Sequence, residues 1–301
     1  MSGARQHIEA AGRPLRVSNL DKLLWPAAGF SKRDLLAYYE AVAPALLPHL
    51  AGRPVTLARF PLGVEERGWY QTNCPPGQPD WLRIAPVAGK SGQQLRYCVI
   101  DEPAALLWAA NTGALELHPF LATAERPDSP LALVFDLDPG RPAELPECCA
   151  VALWLRELLE RRGLKSMVKT SGAKGLHLVV PLDASGTFAQ TKAYARAIAR
   201  DMAAAHPDFI TDRMAREERP GKVFIDWGQN DANKSTIAPY SLRATRWPGV
   251  SMPLRWEEVQ QVLETRDESV VRFGPADALA RLDRYGDLFR EAAGGSDQHL
   301  G

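Results

Sequence analysis

Three carboxylates carry the strongest chemical signal in this sequence. Asp136 and Asp138 alternate within Leu131-Ala-Leu-Val-Phe-Asp-Leu-Asp-Pro-Gly140. If that run is a strand, both side chains share one face. Crowded carboxylates repel each other unless a cation or a proton lies between them, and an all-oxygen donor set suits Mg²⁺ or Mn²⁺. Asp226 sits in Val223-Phe-Ile-Asp-Trp227, an apolar run in which a charge needs a partner. Three such acids can hold two ions: one activates an attacking 3′-hydroxyl, the other steadies a triphosphate and its leaving group. Taken alone, an Asp-x-Asp pair before Pro-Gly reads more often as turn chemistry, its side chains bonding local backbone.

Thr170-Ser-Gly-Ala-Lys-Gly-Leu-His177 joins two predicted strands. Gly172 and Gly175 let the backbone bend sharply and approach a ligand closely. Backbone N–H groups of such a turn can face phosphate, with Ser171 adding a hydroxyl and Lys174 a positive charge. It is not a Walker A loop, because the G-x-x-x-x-G-K-[ST] spacing is absent and no helix follows the lysine. A plain hairpin with a solvated lysine is the simpler reading of the turn by itself, and a lone histidine such as His177 is more often structural.

Other candidates are weaker singly. His118 ends a predicted strand in Leu115-Glu-Leu-His-Pro-Phe120 and could meet phosphate or metal. Arg243 in Tyr240-Ser-Leu-Arg243 could grip phosphate bidentately. Arg219 and Lys222 flank Pro220-Gly221 as a basic loop just before the Asp226 strand. Trp69 and Tyr70 could stack on a base, although adjacent aromatics are as often split between core and surface.

The order of these motifs is more specific than any one of them. His118-Pro119, Asp136-Leu-Asp138-Pro-Gly, Ser171-Gly-Ala-Lys-Gly-Leu-His177, Asp226-Trp-Gly-Gln-Asn230 and Tyr240-Ser-Leu-Arg243 follow one another along the chain. Together they resemble the polymerase domain of bacterial DNA ligase D, within the archaeo-eukaryotic primase superfamily. The resemblance runs from about Val17 to beyond Arg255. It implies an α+β primase-polymerase fold, with an RRM-like catalytic module and an N-terminal α/β module around one active-site cleft. It implies that Asp136, Asp138 and Asp226 bind two divalent ions, Mn²⁺ or Mg²⁺. His118, Ser171, Lys174, His177 and Arg243 match positions that hold the incoming NTP or dNTP. Trp69 and Tyr70 match an aromatic pair near the templating and incoming bases. Asn19, Lys22 and Lys32 fall in the stretch that grips a downstream 5′-phosphate. Arg219 falls in the loop that acts with the metal-site strand, and a hairpin over 86–97 handles primer or template ends.

The implied activity is that of a primase-polymerase extending or filling DNA ends during non-homologous end joining, on gapped duplex, with Ku and a DNA ligase as expected partners. No K-x-D-G motif for an adenylating lysine occurs, so the ligase chemistry itself is absent from this chain. A metal-dependent nuclease could use the same acids with water as nucleophile, and a non-catalytic DNA-end-binding module would need only the basic N-terminal face. The triphosphate-directed residues argue against the first and the acidic triad against the second.

Elements must hold these residues in place. A helix is expected over 31–50, capped by Ser31 with Asp34 in its first turn. Further helices are expected from Asp101 towards Gly113, from about Pro146 to before Gly163, from Thr187 (a capping box with Gln190) to near His206, over 256–263 and over 275–292. Strands are expected over 131–135, 166–170, 176–181 and 223–227. This order reads as α+β more than as a regular βαβ alternation. Residues 1–293 form the expected domain, and 294–301 an expected disordered tail or linker.

With 301 residues, 46% hydrophobic and 24% charged, the chain can bury a sizeable core. No apolar run reaches the ~18–20 residues of a membrane helix, and the polar start does not look like a signal peptide. The four cysteines (Cys74, Cys98, Cys148, Cys149) lack C-x-x-C spacing. Neither a disulfide nor a zinc site is expected, which fits a reducing cytoplasm and, for a DNA enzyme, the nucleoid. Lysines plus arginines equal aspartates plus glutamates at 36 each, so any DNA-binding charge must be local.

Overall fold

The computed structural model describes residues 5–89, 92–294 and 296–300. In chain order the elements are β1 (Arg5–Ala10), β2 (Arg13–Ser18), β3 (Leu23–Trp25), β4 (Phe30–Ser31), α1 (Lys32–Leu50), β5 (Pro54–Arg59), β6 (Trp69–Gln71), β7 (Ile84–Ala88), β8 (Gln94–Val99), α2 (Pro103–Asn111) and β9 (Ala114–Pro119). They continue with β10 (Ala132–Pro139), α3 (Leu145–Arg161), β11 (Met167–Thr170), β12 (Leu176–Pro181), α4 (Phe188–Ala205), β13 (Ile210–Thr211) and β14 (Val223–Asp226). The last are β15 (Leu242–Ala244), β16 (Pro248–Val250), β17 (Pro253–Leu254), α5 (Trp256–Thr265) and α6 (Pro275–Tyr285). The chain divides into two compact units, one of residues 1–125, 235–250 and 274–286, the other of 126–234, 251–273 and 287–301.

In the first unit β5 is the central strand. It pairs with β9 along one edge and with β6 and β8 along the other, and β7 completes the sheet. Helix α1 begins with the expected capping box: Ser31 Oγ accepts from Asp34 N at 3.3 Å, and Ser31 N donates to Asp34 Oδ2 at 2.7 Å. Leu35, Tyr39, Val42 and Leu46, spaced three and four apart, are fully buried, as a helix face laid against a core requires. The hairpin expected over 86–97 is β7–β8, its pairing running from Ile84↔Cys98 to Ala88↔Gln94, with Lys90 and Ser91 outside the described residues.

In the second unit, β10-α3-β11-β12-α4-β14 forms a βαββαβ arrangement with sheet order β14-β10-β12-β11, extended by β13 beside β14 and by β17 beside β11. That order is the split-βαβ topology shared by RRM domains. Strand parity divides the sheet into two faces. Leu133, Phe135 and Leu137 of β10, Leu176, Leu178 and Val180 of β12, and Val223 and Ile225 of β14 pack into the core with α3, α4 and α5. Each such fully buried side chain contributes roughly 1.5–3 kcal/mol. The alternate residues, Asp136, Asp138, His177 and Asp226 among them, fall on the other face.

Three expectations are corrected. The helix predicted over 275–292 ends at Tyr285, where Gly286 at φ +67° caps it and donates to Leu282 O. The segment 296–300 is not free chain. Gln298 Oε1 accepts from Lys165 N at 2.6 Å and its Nε2 donates to Pro181 O at 3.1 Å, satisfying backbone groups just before β11 and at the end of β12. Gly295 and Gly301 lie outside the described residues. Cys74 and Cys98 form a disulfide across 24 residues. Short-range spacing gave no hint of it, because a long-range backbone bond, Cys74 N to Arg96 O at 2.6 Å, brings the partners together. The compartment argument built on unpaired cysteines loses that support.

Candidate active site

Asp136, Asp138 and Asp226 lie on the sheet face opposite the one that packs with α3, α4 and α5 in the second unit. Asp136 stands directly opposite Asp226 in the β10–β14 ladder and directly opposite His177 in the β10–β12 ladder, and Lys169 of β11 lies opposite His177. Lys169, His177, Asp136 and Asp226 thus form one row across four strands. Asp138 sits two residues along from Asp136, opposite Phe224. Directly opposed like charges destabilise a sheet, and the row runs from a lysine and a histidine at one end to an acidic concentration at the other. His177 Nε2 lies 3.3 Å from Asp136 Oδ1, and Lys174 Nζ lies 3.7 Å from Asp138 Oδ1.

Asp226 is fixed from its own turn: Gly228 N donates to Oδ1 at 2.8 Å and Gln229 Nε2 to Oδ2 at 3.1 Å. Burial, reinforced by the Asp136 charge, raises the Asp138 carboxyl above its ordinary range, against the pull of Lys174 and Arg219. Asp226 is also raised, by burial first and the Asp136 charge after it, with the Gly228 bond opposing. Both shifts mark negative charge crowded without enough compensation. Among the described residues, no three His, Cys, Asp or Glu side chains are already gathered as a metal-ligating group. The donor chemistry nevertheless fits a divalent ion: three carboxylates at the ends of two adjacent strands offer only hard oxygens.

The Ser171–Gly175 turn is built by its serine. Ser171 Oγ accepts from Ala173 N and Gly175 N, both at 3.2 Å, and Ser171 N donates to Gly175 O at 2.9 Å. Its hydroxyl is therefore committed to the turn as well as available at its rim. A Cβ at Gly175 would lie 2.0 Å from Leu137 O, so only glycine lets the turn press against β10 between the two acids. The basic loop docks on the same turn chemistry: Gly221 N donates to Gly140 O at 2.8 Å, and Gly140 N to Lys222 O at 2.8 Å. Arg219 stacks 3.8 Å over the Phe224 ring and donates to Met214 O. Lys222 is turned to Pro207 O at 2.6 Å, which makes it a strut of the loop.

In the first unit a second constellation forms around β9. His118 Nε2 donates to Glu116 Oε2 at 2.8 Å, Arg243 Nη1 approaches the same oxygen at 3.1 Å, and Ala244 N donates to Oε1 at 2.8 Å. Tyr39 closes the arrangement from α1. Its hydroxyl donates to Leu115 O of β9 at 2.6 Å and accepts from Leu242 N of β15 at 3.3 Å. Tyr70 meets the His118 ring edge-on, with centroids 5.4 Å apart. Small Ala58 lies between Tyr70 and Glu116 in register, leaving room for that contact. Trp69 occupies the other face of β6, bonded to Gln71 and covered by the Arg59 guanidinium at 5.2 Å. The aromatic pair is thus divided, with Tyr70 alone touching the His118 cluster.

Asn19, Lys22 and Lys32 do come together. Lys22 N donates to Asn19 O, Lys32 N to Lys22 O, and Lys32 Nζ to Ser18 O at 2.9 Å. Lys22 Nζ reaches Pro61 O at 3.1 Å. Burial and then the neighbouring Lys22 charge lower the Lys32 ammonium to about 8.

A family model, the LigD primase-polymerase domain, matches residues 31–289. The chain belongs to that family. It is 39% identical over 276 residues to the multifunctional non-homologous end joining protein LigD of Mycolicibacterium smegmatis, covering 91% of this chain and 35% of the relative. The Bacillus subtilis bifunctional non-homologous end joining protein LigD is 32% identical over 260 residues, covering 86% of this chain and 41% of the relative. The chain therefore spans well under half the length of these proteins. It resembles the structure of the polymerase domain from Mycobacterium tuberculosis ligase D in complex with DNA, with a TM-score of 0.87 and 35% identity over 94% of this chain and 99% of that one. The α+β primase-polymerase fold and the nucleotidyltransferase class of this LigD-type domain follow. Among the described residues no helix is long and apolar enough to cross a membrane.

Sequence reasoning missed two members of these constellations. Glu116 lies two residues before His118 in a strand, and period-two spacing alone would have put them on one face. Asn230 is fully buried; its side chain accepts from Val134 N at 2.8 Å and donates to Val134 O at 2.7 Å. Its position four residues after Asp226 carried no signal of that long-range role.

Proposed function

We propose that this domain transfers nucleotides onto DNA 3′ ends, extending or filling gaps during non-homologous end joining. The observation that supports the reading best is the opposition of Asp136 and Asp226 on neighbouring strands, with Asp138 two residues away, in a chain of the LigD primase-polymerase family. Asp136, Asp138 and Asp226 would hold two divalent ions, manganese or magnesium. When bound, such ions activate the primer hydroxyl and neutralise charge on the triphosphate. His177 steadies Asp136 and Lys174 balances Asp138. In the second unit the backbone and side chains of the Ser171 turn, and in the first His118 and Arg243, are each suited to the phosphates of an NTP or dNTP. Tyr70 offers a ring for its base. Catalysis rests on positioning and charge stabilisation.

On the same reading Asn19, Lys22 and Lys32 take the 5′-phosphate of a gapped duplex. The DNA-bound mycobacterial neighbour supports contact with DNA. Ku and a DNA ligase are the partners this role implies, and the bacterial nucleoid in the cytoplasm its place of work.

The test is extension of a labelled primer across a short gap bearing a 5′-phosphate. Manganese is supplied with ribo- or deoxyribonucleotides, and Asp136→Ala is assayed beside the wild type. Extension lost in the variant is the expected result. Shortening of the labelled strand would instead indicate a nuclease, and bound but unaltered DNA a non-catalytic end-binding module.

A further inference from the structure

Glu116 has no place in the chemistry assigned so far, yet it is among the few buried acids, 5% exposed. A carboxylate so placed is costly unless its oxygens are satisfied. Here both oxygens are used, and by groups from two separate strands. His118 on β9 and Arg243 on β15 converge on Oε2, while the backbone of Ala244 holds Oε1. The Arg243 side chain is itself mostly buried, and its Nε is a buried donor with no protein acceptor. An arginine gripped at one terminal nitrogen is held in one orientation, and the partly exposed remainder of its guanidinium keeps donors for an acceptor such as phosphate.

We propose that Glu116 is a positioning residue for nucleotide binding, its single carboxylate fixing His118 and Arg243 in the geometry that receives the phosphates. The inference rests on the reading of His118 and Arg243 as phosphate-binding groups. Glu116 itself, being negative, does not touch the nucleotide. It acts through His118 and Arg243. Tyr70, resting on the His118 ring, inherits the same anchorage.

Glu116→Gln keeps the shape and removes the charge. Steady-state primer extension with this variant, over a wide nucleotide range, should show KM for nucleotide raised at least tenfold while kcat falls no more than about threefold. Such a split marks lost ground-state binding, not a damaged chemical step. A merely structural residue would lower the melting temperature and the active fraction, hence kcat, with KM unmoved; that outcome overturns the proposal. His118→Ala and Arg243→Ala are run alongside. If they leave KM unchanged, the underlying phosphate reading fails, whatever Glu116 does. If they raise KM and Glu116→Gln does not, only the positioning role fails. Should Glu116→Gln not fold, Glu116→Asp keeps the charge but withdraws it by one methylene. The same selective rise in KM is expected there, and an unchanged KM refutes the role.

Discussion

Asp136 and Asp226 face each other across neighbouring antiparallel strands, in the direct register of the β10–β14 ladder. Side chains so paired have Cβ atoms roughly 4.5–5.5 Å apart, and like charges at that distance oppose folding. The arrangement is stable to mutation in one sense and intolerant in another. Asp136→Ala should relieve repulsion and leave the melting temperature equal or slightly higher, by an amount worth roughly 0.2–1 kcal/mol, while primer extension falls by at least about a hundredfold. A variant that keeps near-normal extension would remove Asp136 from the catalytic set.

Ion binding can be read without any reaction. A ligand that binds only the folded state at a hundred times its Kd stabilises it by about 2.7 kcal/mol. Manganese should therefore raise the melting temperature of the wild type, and raise it much less for Asp136→Ala or Asp226→Asn. Equal shifts in all three proteins would place the ions elsewhere.

Gly175 is expected to resist even the smallest substitution. A methyl group there meets the Leu137 carbonyl at 2.0 Å, whereas at Gly186 the nearest atom is the side-chain oxygen of Gln190 at 3.6 Å. Gly175→Ala should cost about 1–3 kcal/mol and raise the nucleotide KM by displacing the Ser171–His177 turn. Gly186→Ala should fall within about 0.5 kcal/mol of wild type. Chemical denaturation of both variants makes the comparison.

If Lys32 takes the 5′-phosphate as proposed, that binding acquires a pH dependence. Its ammonium, lowered to about 8, is charged below that pH and neutral above it. Affinity for a 5′-phosphorylated gap should fall as pH rises through about 8, by no more than tenfold per unit for one proton. A 5′-hydroxyl gap should show no such loss, and Lys32→Met should abolish the difference. For stability the sign is the reverse. The unfolded chain holds this proton up to about 10.5, so between the two values it binds more protons than the folded chain. The contribution of Lys32 to stability then rises with pH across that window.

Asn230 ties the turn after β14 to Val134 of β10. Asn230→Ala would strand both backbone groups of Val134 at a buried position, costing about 2–3 kcal/mol. Because Asp226 begins the same turn, extension should decline along with stability. Loss of stability with full activity would show that the acid is held independently.

The second unit was the more legible in sequence. Apolar parity in 131–138 is enough to place Asp136 and Asp138 on one face, and the capping pairs Ser31/Asp34 and Thr187/Gln190 mark two helix starts that the hydrogen bonds reproduce. Motif order made the family readable as a whole. What escaped were relationships between distant segments. The bond of Tyr39 to Leu115 and Leu242, the Cys74–Cys98 pairing and the Glu116–Arg243 contact each depend on register and packing. Local pattern carries no record of these. The end of the helix predicted over 275–292 was legible in Gly286, which the apolar periodicity on either side obscured.

Each unit draws on three separate stretches of chain, and this bears on the order in which the molecule can be made. Glu116 leaves the ribosome 127 residues ahead of Arg243, a delay of roughly 6–25 s at ordinary synthesis rates. During that interval the strands β10, β11, β12 and β14, contiguous in sequence, are all produced. Glu116 thus stays without its arginine until the four central strands of the other unit have been made.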